Sequence, residues 1–358
     1  MTDTIFEPQF DITPRIRHAL EEIERHSWLV ENMLIMPKHQ AWIRREVQVR
    51  RAAGTTRIEG ASLDEAEVGR LVSRQPSGNL TEDERANLNA IEAYEFVDYL
   101  SDQTDIPIDE LVIRQLNRYF MRGAAETLTP GTYRKGQNMV GDFTPPDQGD
   151  VPARMRSFAL WLREDDETHP VLKAGIAHIH FVAIHPFWDG NGRTARALAT
   201  LVLQRSKFGF KKLLSIESDL FELWDHYRSA IQRTLGSRFM AEYDATAWLE
   251  FFVSMMQAHA GRITGRLTDW HRIMQEFHDD MAEFGLAQRQ VDVLAFALSS
   301  GIVARSDYIE ITGVSPVTAS RDLAMLVRKG LLVSEGETRA RVYRPVRKVT
   351  QDTGDGPR

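Results

Sequence analysis

The sequence predicts a mainly α protein, and three observations carry that expectation. Apolar residues recur at helical spacing among charges, as Ile16, Leu20 and Ile23 do near the start. Capping patterns precede such runs, and glycine or proline follows them. Pieces of β type are short and confined to two places, a glycine- and proline-rich stretch around residue 140 and the C-terminal end.

Taken in order, residues 13–58 read as helical and stop at Gly60. Ser62-Leu63-Asp64-Glu65 has the capping-box pattern and opens a helix to about Val72. Residues 74–79 read as a loop or linker, and helices are predicted over 81–102 and 108–122. Residues 129–152 read as an ordered loop or hairpin, with β-type pieces around Tyr133 and Met139-Val140; loops of this length inside a domain tend to be functional. Helices follow over 171–184, 194–204, 221–236 and 245–283.

The C-terminal section changes character. Helices over 288–298 and 306–311 lead to the turn Gly313-Val314-Ser315-Pro316, with a serine N-cap and proline at the first helical position. A helix over 317–329 ends at Gly330, and strands at 331–333 and 341–343 are joined by Glu335-Gly336-Glu337. That is the outline of a winged helix-turn-helix. The expected domains are therefore an N-terminal helical region (1–80), a core (81–240), a helical connector (241–285), the winged helix (286–348) and a disordered tail (349–358).

With 358 residues, 42% hydrophobic and 27% charged, the chain is an ordinary soluble protein of two or three domains. A net charge of −7 argues against a protein that coats nucleic acid over its whole surface, though it leaves room for one basic patch. The absence of cysteine excludes disulfides, thiolate metal sites and cysteine nucleophiles. The N-terminus lacks a basic segment followed by an apolar one, so no signal peptide is expected. The longest apolar run, 176–187, is broken by His178, His180 and His185 and is too short to span a bilayer. The expectation is a cytoplasmic protein with no membrane association.

The most informative stretch runs from Ile184 to Arg196. His185 is a general base by type, and Asp189 is a carboxylate able to hold a divalent cation on phosphate oxygens. Gly190-Asn191-Gly192 lets consecutive N–H groups turn toward an anion at the start of a helix. Arg193 and Arg196, three apart, share a helix face and can grip further phosphates. Each piece alone is commonplace, and a lone histidine on an apolar helix is more often a satisfied core residue. Their assembly within one short segment between two helices points to nucleotidyl or phosphoryl transfer, chemistry that is mostly positioning and charge stabilisation. His178 and His180, spaced i, i+2, fall on different helix faces and read as structural.

This segment matches, at every defined position, the signature His-Pro-Phe-x-Asp/Glu-Gly-Asn-Gly-Arg-x-x-Arg, and so resembles the Fic family. The related Doc toxins, which phosphorylate, carry Ala-Asn-Lys-Arg where this chain has Gly-Asn-Gly-Arg. The resemblance implies transfer of AMP from ATP to a protein hydroxyl, with His185 as the base and Phe187 as the loop's anchor. It implies Mg²⁺ on Asp189, phosphates cradled by Gly190, Asn191 and Gly192, nucleotide binding by Thr194 and Ala195 as well, and β- and γ-phosphate contacts from Arg193 and Arg196. Gly131-Thr132-Tyr133-Arg134 followed by residues 139–146 resembles the family's flap, whose Val140, Gly141, Asp142 and Phe143 would cover the nucleotide and dock the target by strand addition. Tyr227 resembles the tyrosine that lines the adenine pocket.

Upstream, Thr55-Thr56-Arg57-Ile58-Glu59-Gly60 resembles the family's inhibition motif. A glutamate in the last turn of a helix faces the negative end of the dipole and asks for a cation. The resemblance names Arg196 as that cation, taken from the γ-phosphate, with Thr55 part of the motif. In some relatives the equivalent glutamate also positions water to remove AMP, so de-AMPylation is one alternative, and a DNA-binding regulator acting through the winged helix is the other. A homodimer and self-modification are further implications. From 301 to 348 nine basic residues face five acidic ones, so the winged helix reads equally as a DNA-binding or a protein-docking module.

Overall fold

Capping residues and prolines set the helix starts. Thr13 opens α1 (Pro14–Asn32): its hydroxyl accepts from Ile16 N at 3.3 Å, and Pro14 stands where no hydrogen-bond donor is needed. The computed structural model describes residues 5–35, 37–74, 79–123, 129–165, 167–300, 302–336 and 341–346. Among these the chain is mainly α with a small antiparallel sheet near its end. The predicted linker at 75–78, the wing turn beyond Gly336 and the C-terminal tail lie outside the described residues.

The single helix expected over 13–58 is two. After α1 the backbone turns extended at Met33, and α2 (Pro37–Ile58) starts afresh at a proline, which has no N–H and disfavours helical backbone before it. The cap of α3 (Glu65–Arg74) also differs. Asp64 and Glu67 form the reciprocal pair at 2.7 and 2.9 Å, while Ser62 bonds Asp83 instead. Next come α4 (Glu82–Asp102), entered through a Thr81–Glu84 capping box, and α5 (Glu110–Phe120), capped by Asp109. Sequence reasoning passed over α6 (Val151–Glu164), whose Pro152 looks like loop but sits in the first turn, where proline is tolerated.

The chain forms two units: residues 1–35 with 43–263, and residues 36–42 with 264–358. At the centre of the first, α7 (Pro170–Ile184) packs along α8 (Asn191–Gln204), and α4 and α5 flank α8. Every α8 residue from Arg193 to Leu203 is buried, the pattern of a helix enclosed on all sides. Each large apolar side chain enclosed here stabilises the fold by about 1.5–3 kcal/mol. A 3-10 turn (Lys207–Lys212), α9 (Ile216–Glu222), α10 (Trp224–Leu235) and α11 (Thr246–Phe284) complete the helical order; the expected 221–236 helix is thus broken at Leu223.

Phe210, Lys211 and Lys212 are left-handed without being glycine, at about 1–2 kcal/mol each. Their backbone is over-determined: Arg44 Nε donates to Lys211 O and Arg51 Nη2 to Lys212 O, at 3.3 and 3.2 Å. Both arginines lie on α2, so the same helix that leads into Glu59 clamps this turn.

The second unit comprises α12 (Gln288–Ser300), β1 (Val303–Ala304), α13 (Arg305–Thr312), α14 (Pro316–Arg328), β2 (Leu332–Glu335) and β3 (Val342–Pro345). The sheet order is β1-β3-β2, antiparallel throughout, with Val303 opposite Tyr343 and Val333 opposite Arg344. Strand β1 escaped sequence reasoning because two residues show no alternation. Val291, Leu294, Tyr308, Leu323, Leu326 and Leu332 form the core of this unit. Among the described residues no helix is long and apolar enough to cross a membrane.

Candidate active site

His185 caps α7 in a left-handed conformation (φ 49°, ψ 57°), a strained position for a side chain with a Cβ. The strain is held from outside. Arg134, buried beneath the 129–146 loop, donates from Nε to His185 O at 3.0 Å, and its backbone N–H reaches Pro186 O at 2.9 Å. Its remaining guanidinium nitrogens bond Gly136 O and Pro146 O. Around Tyr133 there is no strand; these arginine bonds organise the backbone instead.

Asn191 closes the loop after the histidine. Its amide accepts from Phe187 N at 2.9 Å and donates to Phe187 O at 2.8 Å, so the side chain staples the loop and only its backbone faces an anion. Phe187 is 1% exposed, against Phe181 and Tyr133. Gly190 is left-handed (φ 76°), and a Cβ there would stand 2.8 Å from Met121 Sδ. From α5, Asn117 donates to Asp189 O and accepts from Gly131 N, both at 2.9 Å, joining the loop to the start of the flap. Nothing in the sequence near Asn117 signals this, because its partners are remote along the chain.

Helix α8 thus presents the N–H groups of Asn191, Gly192 and Arg193, which have no intrahelical acceptors, together with the positive end of its dipole. Thr194 and Ala195 do not join them: both are fully buried, and the Thr194 hydroxyl turns back to Gly190 O at 2.8 Å. Asp189 is half exposed, with Oδ1 taking Gly190 N at 2.5 Å and lying 3.3 Å from Arg193 Nη2. One outward carboxylate suits Mg²⁺, which keeps waters and shares phosphate oxygens rather than entering a protein cage. Among the described residues no group of three or more His, Asp or Glu could hold a metal by itself.

A cavity of about 740 Å³ opens beside this helix start. His185, Gly192 and Arg196 line one side, and Val140, Gly141, Asp142 and Phe143 line another. The latter four form a minimal hairpin, bridged by Val140 N to Phe143 O and Phe143 N to Val140 O at 2.9 and 3.0 Å. It is moored to the chain after α10 through Thr144 N to Ser237 O, 2.9 Å. The third wall is α10, with Trp224, Tyr227, Ile231 and Leu235 making an apolar slot. Of these, sequence reasoning reached only Tyr227. Its hydroxyl lies 3.0 Å from His178 Nε2, and Trp248 stacks on that imidazole at 4.8 Å.

Glu59 closes the fourth side. The Arg196 guanidinium, 1% exposed, donates from Nη2 to Glu59 Oε1 at 2.6 Å and to Thr55 O at 3.1 Å; its Nε donates to Thr55 Oγ1 at 2.9 Å. Burial opposes ionisation of Glu59, but the Arg196 charge and hydrogen bond, helped by Arg193 and His185, hold its carboxyl below the usual range. A Cβ on residue 192 would come 2.6 Å from Glu59 Oε1, so the carboxylate sits directly over the helix start. Thr55 is itself fully buried, outside the cavity lining.

The helix that brings Glu59 here ends in a two-bond C-cap. Ala61 N donates to Thr56 O and Gly60 N to Arg57 O, with Gly60 left-handed at φ 99°. Its approach to α9 depends on Gly54, where a Cβ would fall 2.7 Å from Ser218 N and 2.8 Å from Glu217 C. Gly54→Ala is expected to destabilise the protein by about 1–3 kcal/mol, since backbone must shift, and to draw Glu59 off Arg196. Thermal melts and exposure of Arg196 by hydrogen exchange check this; an unchanged melt would contradict the packing argument.

His178 and His180 do not share a ligand. His178 faces Tyr227 and Trp248, while His180 stacks on Phe6 at 3.5 Å and meets Tyr243 Oη at 3.1 Å. Burial pushes both down to about 3, and His185 down to about 4. Unfolded histidines titrate near 6.5. Below that pH the unfolded chain takes up protons at these three histidines that the folded one refuses, while Glu217, raised by burial, acts in the opposite sense. Stability is therefore full above the unfolded histidine value and falls as pH drops from 6.5 toward 4.5, each of the three histidines contributing up to about 1.4 kcal/mol per pH unit. Chemical denaturation between pH 7.5 and 5 reads this out, and a flat profile would exclude buried neutral histidines.

Comparisons with known proteins find relatives of this chain. Residues 107–203 match the family described as Fic/DOC. A protein adenylyltransferase Fic from Nematostella vectensis is 35% identical over 127 residues, 35% of this chain and 29% of that protein. The Drosophila melanogaster protein of the same name is 37% identical over 111 residues, 30% of this chain and 22% of its own length. The match thus spans less than a third of those relatives. In fold, a Fic family protein from Desulfovibrio desulfuricans G20 superposes with a TM-score of 0.63 at 21% identity, covering 99% of this chain and 100% of the other. A Fic domain containing signaling protein from Bacteroides thetaiotaomicron gives 0.57 at 20% identity, covering 71% and 95%.

Proposed function

We propose that this chain, whose residues 107–203 match the Fic/DOC family, is a protein adenylyltransferase that moves AMP from ATP to a Ser, Thr or Tyr hydroxyl and is restrained by its own Glu59. The observation that carries the reading is one cavity in which His185, the N-terminus of α8, Arg196 and an aromatic slot meet, with the Glu59 carboxylate on Arg196. The slot of Trp224, Tyr227, Ile231 and Leu235 takes a flat base, and the 140–143 hairpin lies over it. Gly192 and Arg196 face the phosphates. His185, neutral because of its burial, accepts the proton of the target hydroxyl. The hydroxyl oxygen bonds the α-phosphorus, the bond from that phosphorus to the bridging oxygen breaks, and pyrophosphate leaves. Asp189 would hold Mg²⁺, which would supply charge neutralisation on the phosphates.

Glu59 opposes the reaction by keeping Arg196 on α2. A second reading rests on the same contact: with Glu59 and His185 lining one space, the carboxylate can also orient water for removal of AMP. Release of AMP from a pre-modified protein by the wild type, but not by Glu59→Gly, would favour it. Self-modification and a homodimer complete the proposal, read by intact mass and by size in solution.

The test is to supply ATP labelled at the α- or the γ-phosphate to Glu59→Gly protein with Mg²⁺. Retention of α label on protein, with none from γ, supports AMP transfer. Retention of γ label instead would make the enzyme a phosphoryl transferase and overturn the proposal.

A further inference from the structure

The second unit takes no part in the proposed transfer, yet it presents a surface with a definite chemistry. Gly313, left-handed at φ 68°, turns the chain between α13 and α14, and Ser315 caps α14 by accepting from Thr318 N at 3.3 Å. The inner face of α14 is buried through Ala319, Asp322, Leu323 and Leu326. Its outer face is Val317, Arg321, Ala324 and Arg328, all exposed and spaced so as to form one stripe. Val317 is 79% exposed and the Arg321 side chain 69%.

Three acids near this stripe are engaged in contacts of their own, although Asp322 Oδ1 also lies 3.9 Å from Arg321 Nε. Asp322 is turned into the core, where Arg289 Nε and Tyr308 Oη donate to it at 2.7 and 2.9 Å. Asp307 caps α13 through Ala304 N at 2.7 Å, and Glu335 pairs with Arg344 at 2.7 Å. The stripe itself therefore carries two guanidinium groups, two small apolar side chains and no carboxylate.

We propose that α14, flanked by the β2–β3 ribbon, is a duplex-DNA interface with the stripe in the major groove. A helix with its side chains, about 10–12 Å across, fits a groove of about 12 Å. Arg321 and Arg328 suit guanine O6 and N7 or phosphate, Val317 suits a thymine methyl, and Ala324 allows close backbone approach. A protein partner is disfavoured because the stripe lacks the aromatic anchors that carry protein interfaces. Duplex RNA is disfavoured because its major groove is too deep and narrow for a helix. The inference is independent of the AMP-transfer reading.

Fluorescence anisotropy of the full chain with a fluorescein-labelled DNA duplex of mixed sequence tests it, at about 50 mM and about 200 mM salt. The wild type should bind, with affinity falling steeply as salt rises. Arg321→Glu/Arg328→Glu should lose at least tenfold, and Arg321→Gln/Arg328→Gln a smaller factor in the same direction. Arg25→Glu/Arg163→Glu, an equal charge change at exposed sites of the first unit, should leave binding unchanged. A duplex RNA of the same sequence should bind more weakly. No binding by wild type at the lower salt, equal binding by the α14 variants, or equal binding of RNA would each overturn the proposal. Thermal melts and AMP incorporation confirm that the variants remain folded.

Discussion

Replacing Glu59 with glycine should raise the initial rate of AMP incorporation by about 10- to 100-fold. The estimate comes from the contact being removed. A charge-assisted hydrogen bond to a buried arginine is worth about 1.5–3 kcal/mol, and each 1.4 kcal/mol is a factor of ten. Under the proposed reading that energy holds Arg196 on α2 and away from phosphate. The apo protein should become less stable at the same time, because Arg196 keeps only its two Thr55 contacts in a buried setting. ATP should restore the melting temperature more in this variant than in the wild type. Glu59→Gln, which keeps shape without charge, should fall between the two. A Glu59→Gly protein no faster than wild type would remove autoinhibition from the account.

In that activated background, loss of His185 should lower turnover by about 10²- to 10⁴-fold, the usual worth of a positioned general base. Binding of ATP should change by no more than a few-fold, since in the proposed pose the phosphates face the start of α8 and the adenine faces α10. The backbone at 185 is left-handed, so alanine carries a conformational cost that asparagine largely avoids. Comparing His185→Ala with His185→Asn separates lost chemistry from lost fold. If both variants keep turnover while binding ATP, His185 is not the base.

What the sequence made legible follows from contiguity. The loop from His185 to Arg196 is one unbroken segment, so its residue types announce a base, a carboxylate and an anion cradle before any fold is known. The Ser315–Pro316 start of α14 was equally readable, because capping is local chemistry, whereas α8 has no side-chain cap and begins at Asn191, three residues before the expected start. The residues that hold the site together were not. Arg134, Asn117 and Gly54 act through partners far away along the chain, and no periodicity encodes such contacts. Helix α6 was hidden by Pro145, Pro146 and Pro152, which mark loop and first turn with the same residue. The cradle itself was read too broadly. Thr194 and Ala195 belong to the same segment, yet 3.6-residue geometry turns them into the core, and the Asn191 side chain is spent on Phe187.

The position of Glu59 on its helix has a kinetic meaning. It lies just beyond Ile58, the last residue of α2, and Gly60 immediately reverses the chain. Helix ends open at far lower free energy than interiors, on timescales much shorter than global unfolding. Thr55 and Thr56, one turn earlier, are sealed in the core and would stay put through such an opening. Under the proposed autoinhibition, basal leak is governed by how often one terminal turn breathes, and so can be tuned by evolution or by a ligand at that turn without loosening the rest of the molecule.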